Sequence, residues 1–174
     1  MDADFDLMAP AAFSPCGAYR YTLARPVSMF SDRVLVSCGF NPSLASQWRS
    51  DPTITREITL AERLECGVLL KINCFAAVSP YPDELAHLHD PVGPDNDAAI
   101  RAAIELAHAT GGLLLACWGT PKGRATTRRL ASERFKAVAS LSDQWHALRI
   151  TQEGHPEHPL YLPDGLIPIP WPGY

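Results

Sequence analysis

Three segments of the chain are almost continuously apolar: residues 33–40, 68–75 and 113–118. Strands that are covered on both faces have this pattern, because a parallel sheet packs helices against both of its sides. The residues between these segments place apolar side chains at helical spacing, with Asp51 or Thr53 as the expected cap of the first helix. Three buried strands separated by helix-length segments predict βαβ crossovers. The predicted fold is a three-layer α/β/α sandwich around a central, mainly parallel sheet.

Weaker patterns flank these segments. Alternating residues over 18–23 predict an edge strand or lead-in hairpin, and residues 147–151 predict a fourth, shorter strand. Six prolines from Pro156 to Pro172 argue against any helix in the tail. No repeat or linker interrupts the pattern, so one domain is expected. Its predicted parts are the α/β domain over 1–174, an N-terminal lead-in at 1–17 and a Pro-rich tail at 163–174.

Composition excludes several other classes of protein. The chain is 47% hydrophobic and 20% charged, which is too apolar for a disordered chain. It contains no apolar run of about 18 residues that would predict a membrane helix, and its acidic N-terminus is unlike a secretory signal. The five cysteines include no CxxC pair, which argues against a disulfide framework. We expect a cytoplasmic protein that needs no metal or other cofactor.

The charge of the chain is unevenly distributed. The net charge is −4, but the stretch from Lys122 to Lys136 carries +5, which leaves −9 for the rest. This stretch begins just after the third apolar strand, where basic side chains and helix N-terminal amides would meet a phosphate. A charged helix can also be no more than a solvated face. The expected phosphate contacts are Lys122, Arg124 and Arg128.

Ligands of open α/β sheets bind beyond the carboxyl ends of the strands, so the residues just after each strand are the informative ones. In this sequence those positions carry amides, a tryptophan and two histidines rather than generic loop residues. They are Asn41-Pro42-Ser43, Asn73, Trp118-Gly119, and the loop that contains His155 and His158.

These positions resemble motifs of the uracil-DNA glycosylase superfamily. Residues 39–43 are similar to its G-x-[ND]-P motif, 69–73 to its LLLN strand, 114–119 to its strand ending in Trp-Gly, and His155-Pro156 to its His-Pro-Ser loop. The four matches occur in the order of the superfamily. The resemblance implies a uracil-DNA glycosylase-like fold and action on a nucleobase in a nucleotide or nucleic acid, with hydrolysis of an N-glycosidic bond as the implied reaction.

The chain more closely resembles the domain of unknown function 1643 family (DUF1643), from about Tyr19 to Leu162. Where that family usually continues Thr-Ala-Asp after Asn-Pro-Ser, this chain has Leu44-Ala45-Ser46. The carboxylate that would activate water or bind a metal near position 46 is therefore missing. The resemblance is carried by Asn41-Pro42-Ser43, Asp51-Pro52-Thr53-Ile54, Asn73, Asp90-Pro91-Val92-Gly93, Asn96-Asp97, Trp118-Gly119 and residues 154–161.

The glycosylase resemblance implies a role for each strand-end residue. Asn41 would orient water or sugar, although an amide cannot remove a proton, and Asn-Pro is equally a turn. Asn73 would read the base edge; its alternative is a bond to loop backbone. A protonated His155 or His158 would stabilise the departing base. The expected catalytic residues are Asn41, His155 and His158, and the expected substrate-binding residues are Ser43, Asn73, Trp118, Lys122, Arg124 and Arg128.

Two other classes of function stay open. The missing acid at position 41 fits a non-catalytic module that binds nucleotides or nucleic acid. A metal held by the loop of His87, His89 and Asp90 would instead indicate a small-molecule hydrolase. Because no intercalating loop is evident, single-stranded or damaged nucleic acid and free nucleotides are as reasonable as partners as duplex DNA.

Overall fold

A computed structural model describes residues 6–43 and 51–174. The segment Leu44-Ala45-Ser46 lies outside the described residues. The described chain folds into seven strands, three α-helices and two short 3₁₀ helices. In order they are β1 (Ala11–Phe13), β2 (Arg20–Pro26), β3 (Val34–Gly39), α1 (Pro52–Arg63), β4 (Val68–Asn73), a 3₁₀ helix (Pro82–His87), α2 (Asn96–Ala109), β5 (Leu113–Ala116), α3 (Ala125–Ala139), β6 (Trp145–Ala147), a 3₁₀ helix (Pro159–Tyr161) and β7 (Ile169–Pro170).

The seven strands form one mixed sheet in the order β1-β2-β4-β3-β5-β6-β7. The pairs β4–β3, β3–β5 and β5–β6 are parallel, as the three apolar segments predict. The pairs β1–β2, β2–β4 and β6–β7 are antiparallel. The prediction of a mainly parallel sheet was therefore wrong, because both ends of the chain add antiparallel strands at the edges of a parallel centre.

Helices cover both faces of the sheet, so the α/β layering is confirmed. On one face Ile54, Leu60 and Ala61 of α1 pack against Leu35 and Leu69. On the other face the buried side chains come from α2 and α3. These positions follow from the usual right-handed crossover, since the chain passes one way from β3 to β4 and the other way from β4 to β5. None of the described helices is both long and apolar enough to cross a membrane.

The ends of the chain differ from the sequence prediction in detail. Strand β2 is not at the edge but second in the sheet, with β1 outside it, which explains why its first five residues are buried. The last parallel strand is Trp145–Ala147 rather than 147–151. The tail contains a short 3₁₀ helix at Pro159–Tyr161, since proline at the first helical position lacks only an N–H that has no intrahelical partner there.

Local signals explain how the first two α-helices are anchored. Asp51 caps α1, because its Oδ1 accepts a hydrogen bond from the Ile54 amide at 2.9 Å. Helix α2 has no side-chain cap. Instead its first residue, Asn96, is fully buried and donates from Nδ2 to the carbonyls of Asn73 and Cys74 at 3.1 and 3.0 Å. Asn96 therefore ties α2 to the end of β4, where the predicted site lies.

Candidate functional site

The carboxyl ends of β3, β4 and β5 meet at one edge of the sheet. The chain leaves β3 toward α1 on one face and leaves β5 toward α3 on the other. In open α/β sheets this divergence produces the crevice in which ligands bind. Gly119, with φ +78°, turns the chain after β5, and its amide donates to the Pro156 carbonyl at 3.0 Å. That bond holds the histidine loop at the same edge.

Asn73 ends β4 directly opposite Gly39 of β3 and is only 3% exposed. Among the described residues, its side-chain amide has no hydrogen-bond partner, while its backbone carbonyl accepts from Asn96. A β-carbon at Gly39 would lie 2.8 Å from Asn73 Oδ1 and 3.0 Å from Lys71 Nζ. A side chain at position 39 would therefore displace Asn73 or Lys71, because both polar groups face the small space above Gly39.

Below Asn73 lies a cluster of buried polar side chains between the sheet and α1. Lys71 Nζ donates to Glu57 Oε1 at 2.6 Å and to Ser37 Oγ at 3.1 Å, and it lies 3.4 Å from Cys117 Sγ. Ser37 also donates to Glu57 Oε1, at 2.8 Å. The second carboxylate oxygen of Glu57 is buried with no partner among the described residues. We call Ser37, Glu57, Lys71 and Cys117 the buried polar cluster.

Electrostatics keeps the cationic groups of this region charged. Burial acts to lower the pKa of Lys71, but the Cys117 sulfur and the Glu57 carboxylate outweigh it and hold that pKa above its usual range. Burial lowers the pKa of Arg20 to about 10, against the opposing charges of Asp51 and Glu57, so the guanidinium stays protonated near neutral pH. Burial also raises the pKa of the Cys117 thiol to about 12. The region thus offers two fixed cations and a neutral thiol.

His158 lies beside this region, with its Cβ 3.7 Å from where a β-carbon on Gly119 would be. Its Nδ1 accepts a hydrogen bond from the Leu160 amide at 3.3 Å, so the neutral ring carries its proton on Nε2. Burial lowers the pKa of His158 to about 4, and the positive charges of Lys71 and Lys122 act in the same direction. The prediction of a protonated histidine therefore needs correction at His158, which is a neutral hydrogen-bond donor near pH 7.

This shift predicts a specific pH dependence of stability. The pKa of His158 is about 4 in the folded chain against 6.5 ordinarily, so the unfolded chain binds more protons between these two pH values. The contribution of the neutral His158 to the free energy of unfolding is complete above pH 6.5 and is lost as the pH falls through about 4. Relative to His158→Asn, the wild type should lose about 2–3 kcal/mol of unfolding free energy over that range, as measured by urea denaturation.

Asparagine is the matched replacement because its side-chain oxygen can still accept from the Leu160 amide, whereas it does not titrate. The exposed His87 provides a control, since His87→Asn should leave the pH dependence of the wild type unchanged. Equal acid sensitivity of the wild type and His158→Asn would contradict the burial of a neutral imidazole.

Asn41 and Ser43 lie in the loop that follows β3. Asn41 Nδ2 donates to the Ser79 and Pro42 carbonyls at 2.8 and 3.0 Å, so the turn interpretation accounts for its donors. Its Oδ1 accepts no hydrogen bond from the described residues. Ser43 is exposed and donates to Asp51 Oδ2 at 3.0 Å. The side-chain oxygen of Asn41 is therefore the part of this loop that remains available to orient a water or sugar.

Trp118 and His155 turn to the opposite face of the sheet. Trp118 is 2% exposed and packs against Phe135, Trp145 and Trp171, so its ring is part of the core. Its indole N–H donates to Tyr174 Oη at 3.0 Å, and His155 Nδ1 lies 3.0 Å from the same oxygen. The hydrogen bonds and ring contacts of both residues thus join them to Tyr174 and the aromatic core, and their predicted roles stay predictions.

A separate cleft of about 810 Å³ lies on that opposite face, between α3 and the C-terminal segment. His155, Trp171 and Tyr174 line it, but Asn73 and His158 do not. Its size alone would make it the first place to look for a ligand. We call Arg20, Asn41, Asn73, His158 and the buried polar cluster the strand-end region. This region nonetheless has the stronger chemistry, because it combines an unpartnered amide with buried charges.

A carboxylate from another segment lies beside the start of α3 in the basic stretch. Asp83 Oδ1 already accepts the Arg124 amide and the Thr127 hydroxyl, both at 2.8 Å, and these bonds lower the pKa of Asp83. Asp83 thus contacts the cap residue and a side chain rather than the first-turn amides of α3, and the predicted phosphate contacts stay predictions. Arg124 and Arg128 are exposed on α3, and Lys122 Nζ lies 5.8 Å from the Tyr161 ring centre.

No three His, Cys, Asp or Glu side chains of the described residues are grouped to hold a metal ion. In the loop considered for a metal, His87 and His89 are exposed. Asp90 Oδ1 instead accepts the amides of Val92 and Gly93 at 3.1 and 3.0 Å. This carboxylate shapes its own loop.

Sequence reasoning missed the charged residues of the site, although each left a signal. Lys71 interrupts an otherwise apolar strand, and Glu57 falls on the apolar face of α1, three residues after Ile54 and four before Ala61. A charge at a position that must be buried is expected to have a partner of opposite charge. Pairing these two charges would have predicted the ion pair from the sequence alone.

Comparisons with curated proteins and with solved structures find no match. A comparison with protein families matches residues 20–160 to one described as "Protein of unknown function (DUF1643)". This range includes β2 to β6, every α-helix and all members of the strand-end region described above. The chain therefore belongs to the DUF1643 family.

Proposed function

We propose that the strand-end region binds a nucleobase, carried by a nucleotide or by single-stranded or damaged nucleic acid, and hydrolyses its N-glycosidic bond. The observation that carries this proposal is the Asn73 amide, 3% exposed and without a partner among the described residues. An amide that is almost buried and has no protein partner leaves its donors and its acceptor to water or to a ligand that displaces the water. The edge of a nucleobase has the donors and acceptors that match the amide.

The surrounding charges support the same ligand. Lys71 Nζ and Asn73 Oδ1 face one space above Gly39, and the positive ammonium favours the amide oxygen on its side. The Asn73 Nδ2 group is then left to donate to a ligand, which suits a base that presents a carbonyl oxygen. Arg20 and Lys71 also provide the positive charge that a leaving base anion requires.

His158 and Asn41, which lies in the loop after β3, support cleavage of the base rather than binding alone. A neutral His158 with its proton on Nε2 can donate a hydrogen bond to the departing base without first being protonated. Asn41 Oδ1, held by two bonds through Nδ2, can orient a water or the sugar. Each group therefore has a role that its protonation state near pH 7 allows.

The direct test is release of free base by a high concentration of protein. Nucleoside 5′-monophosphates and single-stranded oligonucleotides carrying normal, deaminated or oxidised bases are incubated with wild type and Asn73→Ala. We expect release from at least one base and, for Asn73→Ala, an affinity lower by about 10–100-fold together with loss of base preference, because its contacts form in the ground state. Gln144→Ala removes an exposed amide at the start of β6 and should change neither quantity.

A second candidate is a non-catalytic nucleobase-binding module, and one observation favours it: no ionisable group stands at position 41, and the Asn41 donors are already bound to backbone. Binding that depends on Asn73 without release of any base would support this candidate over hydrolysis. Absence of both binding and release would contradict both. Binding unaffected by Asn73→Ala would place the ligand elsewhere, with the cleft beside His155 as the next site to test.

We also propose a cytoplasmic location. All five cysteines are free, and Cys38 and Cys74 remain unpaired with their sulfurs 3.9 Å apart. Thiols so close persist most readily in a reducing compartment. Fractionation of cells that express the protein tests this.

A further inference from the structure

We infer that Glu57 is the general base of the hydrolysis, accepting the proton of the attacking water through its Oε2. This inference rests on the function proposed above and adds a catalytic residue to it. It is independent of the resemblance to glycosylase motifs, since Glu57 belongs to none of the segments that carry it.

The first observation is the state of the two Glu57 oxygens. Oε1 accepts from Lys71 Nζ at 2.6 Å and from Ser37 Oγ at 2.8 Å, and Cys117 Sγ lies 3.5 Å away. Oε2 is buried and has no partner among the described residues. An ion pair that served only stability would be expected to satisfy both oxygens, because a buried carboxylate oxygen without a donor is costly. Oε2 is therefore the oxygen that lacks a donor, and in the free protein it is closed to bulk solvent.

The second observation is that the carboxylate is fixed in place. Glu57 lies on the second turn of α1, whose start is capped by Asp51, and its side chain is completely buried. Two donors on neighbouring strands, Ser37 on β3 and Lys71 on β4, hold the same oxygen. A base held in one orientation needs no reorganisation before proton transfer, which is the condition under which such a group is most effective.

The third observation is the place of Glu57 among the strand-end residues. Its charge acts on the pKa of both Arg20 and His158, so the carboxylate lies within electrostatic reach of each. Lys71, with which it is paired, faces the same space as Asn73. The titratable and charged groups around Glu57 are Arg20 on β2, Lys71 on β4, Cys117 after β5, His158 in the C-terminal loop and Asp51 at the start of α1.

The proposed hydrolysis also requires a general base that can take a proton from water. Asn41 can orient a water but cannot take its proton, and His158 uses Nδ1 to accept from Leu160. In the step we propose, the water oxygen bonds to the sugar carbon and one water proton passes to Glu57 Oε2. The carbon–nitrogen bond breaks, and its electron pair leaves with the base. The base anion accepts a hydrogen bond from His158 Nε2 and is then protonated by solvent, giving free base and a sugar hydroxyl.

The test is single-turnover base release by Glu57→Gln on the substrate that the wild type cleaves. We expect a rate about 10²-fold lower with nearly unchanged affinity. Glu62→Gln neutralises an exposed carboxylate on the same helix and should retain both rate and affinity.

Glu57→Asp guards against a folding defect, because it keeps the negative charge beside Lys71 while withdrawing the carboxylate by one methylene. It should bind as the wild type does and release base at least about 10-fold more slowly. A folded Glu57→Gln or Glu57→Asp with the wild-type rate would overturn the role of Glu57 and leave the proposed function intact. No base release by the wild type would overturn hydrolysis itself, which is a different result.

Discussion

Replacing Lys71 with Met is expected to lower the free energy of unfolding by about 3–5 kcal/mol, the loss typical of breaking a buried ion pair at one side. Lys71 is 5% exposed, and its removal would leave the fully buried Glu57 carboxylate with only the Ser37 hydroxyl and the Cys117 thiol as donors. Urea denaturation measures the effect. Lys122→Met removes an exposed ammonium and should change stability by no more than about 0.5 kcal/mol.

The double variant Glu57→Leu with Lys71→Met separates a missing partner from a packing defect. Replacing both charges by apolar groups removes the uncompensated carboxylate, so much of the lost stability should return. A Lys71→Met protein within about 1 kcal/mol of the wild type would contradict the ion pair as a stabilising feature of the fold. A double variant no more stable than Lys71→Met would show that the volume of the side chains, and not their charge, determines the cost.

Replacing His158 with Ala is expected to slow base release by about 10²–10³-fold while leaving affinity nearly unchanged, the loss typical of removing a donor that acts in the transition state. His155→Ala should cost far less, because His155 lies beside Tyr174 on the other face of the sheet. The two histidines are thus distinguished by position. Single-turnover rates at saturating protein, with the two variants compared near neutral pH, measure the difference.

His155→Ala serves as the control for His158→Ala, since each removes an imidazole from the same proline-rich loop. Equal losses of rate in the two variants would contradict the assignment of His158 as the donor. A larger loss in His155→Ala would assign the donor to His155, in the cleft beside Tyr174. Base release that survives the loss of both histidines would contradict a histidine donor altogether.

Hydrophobic pattern was enough to predict the centre of the fold. The three apolar segments became the parallel strands β3, β4 and β5, and Asp51 caps α1 as its position before Pro52 indicates. The edges were harder, because a strand of two or three residues such as β1 or β7 carries almost no periodicity. Whether such short segments pair parallel or antiparallel depends on where the chain returns in space.

The candidate site was predicted only in part, because the pattern along the chain locates strand ends but not contacts between distant segments. Position at the end of a strand predicted Asn73 and the histidine loop, since the topology of an open sheet brings strand ends together. Which face a side chain takes was not predictable at Trp118, because a single residue of the strand separates the two faces. Asp83 contacts the start of α3 from the 3₁₀ helix at Pro82–His87, and no local pattern indicated that contact.

The central claim is that Asn73 reads a nucleobase, and the measurement that tests it most directly is a titration of the ¹⁵N-labelled protein with nucleoside 5′-monophosphates, followed through its side-chain amide signals. Asn73→Ala identifies the Asn73 signal among the three asparagines. We expect this signal to shift saturably with at least one base while the indole signal of Trp171, which lines the cleft beside Tyr174, stays in place. A saturable shift of the Trp171 indole with the Asn73 amide unmoved would contradict the claim.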